Sequence, residues 1–181
     1  MEAIEAIFTR RSVREFKPEP LPAELVRQVL QAGAASPSGG NLQARGFVVV
    51  QSPPRLAALR SLAPGIIGQP AAVIAVCLDE ERAIRLGGKD GAQMAWLDIG
   101  LATQNLLLAV HSLSLGACPV GSFHRQAVAE FLGLSHGVRP VLLLALGYPK
   151  RPPASPGRRP SSEVIFGEKW GLAYEKEQAT G

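Results

Sequence analysis

Cysteine is nearly missing from this chain. Two are present, Cys77 and Cys118, both in apolar surroundings and not arranged as C-x-x-C. That excludes a disulfide framework and a thiolate metal site, and leaves two buried thiols as the expectation. The three histidines, His111, His124 and His136, have no metal-ligand spacing. Aromatic residues make up 6%, and neither a recognition-helix pattern nor an aromatic run of the RNA-binding type is present. A nucleic-acid partner is therefore not expected. The longest apolar stretch, residues 94–120, is interrupted by Asp98, Gln104, Asn105 and His111. It reads as a core helix and not as a membrane span. The start, Met1-Glu2-Ala3-Ile4-Glu5, lacks the basic and apolar parts of a signal peptide, so a cytoplasmic location is expected. A G-x-G-x-x-G turn is absent, which argues against a resident dinucleotide. So are a Ser-His-Asp set, a catalytic carboxylate pair and any internal repeat.

What is there describes an ordinary globular domain. The chain has 181 residues, 46% hydrophobic and 19% charged, with a net charge of +4 and a pI near 9.4. The mild positive charge suits an anionic small ligand. Pro22 opens a helix carrying Leu25, Val26, Val29 and Leu30 at helical spacing. Phe47–Val50, residues 71–78 and residues 140–146 are short apolar runs that read as buried strands. Pro53-Pro54 open a second helix. Residues 82–88 form a short basic segment, helical before Gly87-Gly88. Residues 92–115 are the strongest helix, with Leu97, Leu101, Leu108 and Leu115 on one apolar face and Gly116 as its end. Residues 117–123 are extended, and Ala127, Val128, Phe131 and Leu132 give a short helix closed by Gly133. Residues 1–146 form one domain. After Gly147 prolines recur at 149, 152, 153, 156 and 160 among basic residues. Such a segment is extended. The apolar set Val164, Ile165, Phe166, Trp170 and Tyr174 follows it. Residues 147–181 are therefore an arm, which either packs back on its own domain or wraps a second subunit.

Two stretches carry chemistry. Arg10-Arg11-Ser12-Val13-Arg14 concentrates three guanidiniums and a hydroxyl, donors whose geometry suits phosphate oxygens. It follows an amphipathic segment, residues 2–9, in which Ile4, Ile7 and Phe8 form a stripe that would hold the cluster by packing. Taken alone it also reads as a basic helix C-cap. The second stretch is Ser36-Pro37-Ser38-Gly39-Gly40-Asn41-Leu42-Gln43. Its glycines permit close backbone approach to a flat ligand, and Asn41 and Gln43 offer donors and acceptors. An ordinary turn is the competing reading.

The ordered pair R-R-S-x-R-x-F and S-P-S-x-x-N-x-Q resembles the nitroreductase family of FMN-dependent oxidoreductases. Within that family the pattern of the long helix, Asp98, Gly100 and Gln104-Asn105-Leu106-Leu107-Leu108-Ala109, is similar to the branch containing the azoline-peptide dehydrogenases. The resemblance implies an α+β fold: a mixed, mainly antiparallel sheet flanked by helices in three layers, within an intertwined homodimer. It implies FMN at the interface, held by Arg10, Arg11, Ser12, Arg14, Pro37, Ser38, Gly39, Asn41 and Gln43. It adds Pro119, Val120, Gly121 and Ser122 against one flavin face, and Arg158 or Arg159 at the phosphate. Arg14 near the ring edge would favour the reduced, anionic flavin; pairing with Glu15 or Glu19 is the alternative. The family's contact to the pyrimidine edge has no clear counterpart, Gln69 being the nearest candidate. Nothing near Cys118 is expected to lower its pKa. The activity implied is hydride transfer from NAD(P)H through flavin N5 to a small organic acceptor, a nitroaromatic, quinone or similar compound. The order is ping-pong, with no catalytic side chain and no metal. A flavin carrier or regulator on the same fold, without turnover, is the alternative.

Overall fold

The computed structural model describes residues 1–174; residues 175–181 of the expected arm lie outside the described residues. In chain order the elements are α1 (Ala3–Thr9), α2 (Ala23–Ala34), β1 (Arg45–Val50), α3 (Pro53–Leu62), β2 (Ala72–Asp79), α4 (Glu80–Ser112), β3 (Gly116–Val120), α5 (Arg125–Leu132) and β4 (Val138–Gly147). Short 3-10 turns occur at Gly39–Asn41 and Ser161–Glu163.

The four strands form one antiparallel sheet in the order β1-β2-β4-β3. A parallel bridge from Ser12 to Ala117 adds the N-terminal segment beyond β3, which makes the sheet mixed but mainly antiparallel. Alternation along β2 and β4 sends side chains to two cores. Ala72, Ile74, Val76, Leu78, Leu144 and Leu146 pack under α2 and α4. Val73, Ala75, Cys77, Leu143 and Ala145 pack with α3, α5, Val13 and Phe16 on the other side. Burial on both faces explains why these two strands read as unbroken apolar runs. The result is the expected α+β sandwich of helix, sheet and helix.

The structure corrects several expectations. The segments at 82–88 and 92–115 belong to one helix, α4, broken only at Gly88 (φ 60, ψ −151), a conformation that glycine alone adopts readily. That helix ends at Ser112, and the chain turns through Ser114 in the left-handed region, so Gly116 opens β3 instead of closing the helix. The core face of α4 is Ala95, Ile99, Ala102, Leu106 and Val110. Leu97 and Leu101, assigned to a buried face, are exposed at 62% and 45%. The stripe of α1 does not hold it by packing either: Ile4, Ile7 and Phe8 are exposed and only Ala6 is buried. In the arm, residues 151–165 and 168–174 are exposed, Trp170 at 91%. The start of the arm contacts its own domain, through the Phe16–Pro149 bridge and the bonds of Tyr148, Arg151 and Ser155 to the N-terminal segment, while its later apolar side chains are left exposed.

Among the described residues no helix is long and apolar enough to cross a membrane, and no group of three His, Cys, Asp or Glu could hold a metal. Both cysteines are free and buried.

Candidate functional site

Helix α1 stops at Arg10, whose φ and ψ are already extended, and its N–H still bonds the Ala6 carbonyl at 3.0 Å. From there the chain runs as an added strand. Val13 N–H donates to the Ala117 carbonyl at 2.9 Å, and Lys17 N–H to the Tyr148 carbonyl at 2.9 Å. Val13 seats against Gly116, where a Cβ would fall 2.7 Å from the Val13 Cβ. Gly68 does the same for the next residue, since a Cβ there would lie 2.5 Å from the Arg14 carbonyl oxygen. Two close approaches thus fix the backbone that carries the cluster.

Along this segment Val13 is buried, Arg10, Arg11 and Ser12 are half-buried, and Arg14 and Glu15 are exposed. Arg10 lies near Arg158: burial first, then Arg158, then Arg11, push the Arg10 guanidinium below the usual arginine range. Arg14 lies beside Cys118 on β3 and draws its thiol pKa down, although burial dominates and leaves the thiol raised. The expectation that nothing near Cys118 would lower its pKa is thereby corrected. Glu15 pairs with Arg151 and Glu19 with Lys17, so the alternative partners of Arg14 are engaged elsewhere.

Arg11 is placed differently. Its Nη1 donates to the carbonyls of Phe8 at 2.7 Å and Arg10 at 2.8 Å, and its Nε to Ser155 Oγ at 3.1 Å. It closes the C-terminal end of α1, as the helix-cap reading describes, and faces a groove of about 790 Å³ shared with His111, Lys150 and Arg151. Arg159 is paired with Glu163 at 3.0 Å and also bonds its carbonyl. Of the two late arginines, Arg158 is the one that reaches Arg10. His111, not singled out in the sequence, bonds Thr9 Oγ1 at 2.8 Å. Burial, Arg10 and Arg11 hold its pKa below the usual histidine range, with Glu5 opposing weakly.

Pro119 to Ser122 complete this edge. Pro119 is half-buried, Val120 is buried, and Gly121 and Ser122 are exposed. The Ser122 carbonyl accepts from Gly65 N–H at 3.0 Å, anchoring the turn after β3. Gln69 is exposed, next to the Gly68 that braces Arg14.

The loop with Pro37, Ser38, Gly39, Asn41 and Gln43 is somewhere else. It enters β1, whose Arg45 pairs with Leu78 and, through β2, with Arg139, while Ser12 meets Ala117 opposite Leu146. The two stretches lie at opposite edges and opposite ends of the sheet. Four inter-strand spacings and some seven residues of rise separate them, on the order of 30 Å. One chain does not bring them together.

The family model described as "Nitroreductase family" matches residues 7–71 and 58–148. The NADH dehydrogenase of Thermus thermophilus is 30% identical over 197 residues, covering 92% of this chain and 96% of that protein. The FMN reductase [NAD(P)H] of Bacillus subtilis is 29% identical, covering 93% of this chain and 74% of its own length. Among solved structures, the NADPH:FMN oxidoreductase from Vibrio harveyi in complex with NAD+ superposes with a TM-score of 0.82 at 26% identity, covering 93% of this chain and 77% of that one.

Proposed function

The chain belongs to the nitroreductase family, and from that premise we propose that it is an FMN-dependent NAD(P)H oxidoreductase whose cofactor is shared between two copies. The residues present fit such a cofactor. Arg10 is a partly buried cation with a second cation, Arg158, close by, and neither is ion-paired among the described residues. Like charges brought together in this way are offset by an anion carrying two negative charges, which a flavin phosphate supplies. That unneutralised pair is the observation that carries the reading.

Arg10, Arg158 and Ser12 hold the phosphate end, and Arg14 lies where β3 and Pro119–Ser122 would meet the ring. Asn41 and Gln43 reach the same cofactor from the second copy, since within one chain they are too far away. The exposed apolar residues of α1, α4 and the arm support such a pairing, since grouped apolar side chains left in water on one chain mark an interface. Residues 147–181 are then the arm that crosses to the partner.

Bound FMN supplies a two-electron carrier between NAD(P)H and a small organic acceptor, the two substrates using one pocket in turn. The chain's own residues bind and orient, and none is required to move a proton. The test is anaerobic titration of the purified yellow protein with NADH and with NADPH. Bleaching of the flavin absorbance, and its return on adding a quinone or nitroaromatic, is expected. A yellow protein that bleaches with neither nucleotide would instead be a flavin carrier.

A further inference from the structure

We propose that Asp98 is a positioning residue: from the middle of α4 it holds the Ser36–Gln43 loop in the one backbone shape that presents Asn41 and Gln43. The proposal rests on the FMN reading above.

The loop is conformationally expensive. Gly40, Asn41 and Gln43 all have positive φ, at 55°, 54° and 50°. Two of these are not glycine, and such residues persist only where the surroundings impose the shape. Bonds inside the loop contribute. Gln43 N–H donates to Ser38 Oγ at 3.1 Å, and its side-chain amide donates to Asn41 Oδ1 at 3.0 Å. These bonds link the loop to itself and do not fix it on the protein.

Arg45 of β1 holds the start of the loop, its Nη2 donating to the Ser36 carbonyl at 2.6 Å, and the anchors of the strained part come from α4. Gly39 N–H donates to Asp98 Oδ1 at 3.0 Å. Arg82 Nε donates to the Leu42 carbonyl at 2.7 Å. The Leu42 side chain drops into a notch left by two glycines: a Cβ would come within 2.8 Å of its Cδ1 at Gly87 and within 3.0 Å at Gly91. Gly39 itself lies over Met94, at 3.2 Å from where its own Cβ would be. Residues 91, 94 and 98 recur at steps of three and four beyond the break at Gly88, so one stripe of that part of α4, with Gly87 just before the break, is the template on which the loop is laid.

Asp98 is the unusual member of that stripe. It is 2% exposed, and its Oδ2 has no hydrogen-bond partner among the described residues. A carboxylate removed from water for a single backbone N–H is a poor contributor to stability. Its effect is local instead. It fixes the first residue of the strained stretch, while Asn41 and Gln43 stay exposed and oriented.

The stability and positioning roles give different results when the carboxylate is replaced by an apolar side chain. Full-length apoprotein of wild type, Asp98→Leu and Asp98→Asn is titrated with FMN by fluorescence. Thermal midpoint and amide exchange at Gly39 are measured alongside. Asp98→Leu is expected to keep its midpoint, exchange Gly39 faster and bind FMN about ten- to a hundred-fold more weakly, the loss of a charge-assisted bond. Asp98→Asn keeps an acceptor at Oδ1 and is expected to restore affinity to within about threefold. Wild-type affinity in Asp98→Leu overturns the proposal, and so does an equal loss of affinity in both variants accompanied by a lowered midpoint. Should Asp98→Leu not fold, Arg82→Met removes the second polar anchor from α4 without entering the core. It is expected to weaken FMN about three- to tenfold, and unchanged affinity there overturns the template. Wild-type apoprotein that does not bind FMN at all would instead remove the reading on which the proposal rests.

Discussion

Arg10 faces Arg158, and the proximity of the second cation, added to partial burial, lowers the Arg10 pKa. Two arginines far apart in sequence are thereby brought near one another, as the proposed phosphate site requires. Arg11 is engaged instead by the Phe8 and Arg10 carbonyls at the end of α1.

The first consequence concerns affinity. Arg10→Ala is expected to weaken FMN binding ten- to a hundred-fold, since a charge-assisted hydrogen bond contributes on the order of 1.5–3 kcal/mol. Arg11→Ala should cost less, because that side chain is engaged by helix carbonyls. Fluorescence titration of the two apoproteins compares them, and equal losses would show that its bonds to the helix carbonyls do not keep Arg11 from the phosphate.

Arg14 is expected to act on potential more than on affinity. Its charge, beside Cys118 and Pro119, would favour the more negative, reduced form of a ring bound against β3. Arg14→Gln should retain FMN and show a lower midpoint potential by dye-equilibrated redox titration. A potential equal to wild type would place Arg14 away from the pyrimidine edge.

His111 gives a pH signature. Its folded-state pKa is depressed, so below the ordinary histidine value of about 6.5 the unfolded chain takes up a proton that the native state resists. Stability from this group is present above that value and lost as pH falls through it. His111→Gln should therefore lose less thermal stability than wild type between pH 7 and pH 5. Parallel melting curves for the two proteins would refute this.

The arm and the outer face of α4 should act together. Burying a large apolar side chain contributes roughly 1.5–3 kcal/mol, and Trp170, Val164, Ile165, Leu97 and Leu101 are all exposed on the single chain. Deleting residues 155–181 is expected to give monomeric or aggregated, largely colourless protein. Leu101→Asp should do the same without touching the arm. Sedimentation read at both protein and flavin wavelengths decides the matter; a stable, yellow, dimeric truncation would leave the arm without a role in assembly.

The sequence by itself determined most of the elements and the donor types they carry. β2 and β4 are apolar on both faces, α2 and α5 have clean stripes, and Gly133 closes α5 with φ 65. These are local properties, set by side-chain period and backbone preference. The two site motifs were legible for the same reason, as donor types at short spacing.

Tertiary structure decided where these pieces stand relative to one another. Leu97 and Leu101 are as apolar as the core residues of α4, and a hydrophobic pattern does not say whether a face meets the core or another chain. Only the packing of α4 on the sheet turned them outward. The sheet order likewise put Ser12 and the Ser36–Gln43 loop at opposite edges, because strand pairing over long sequence separations has no local signature. Asp98 could be seen as a polar break in an apolar helix, but only the fold shows that it holds Gly39.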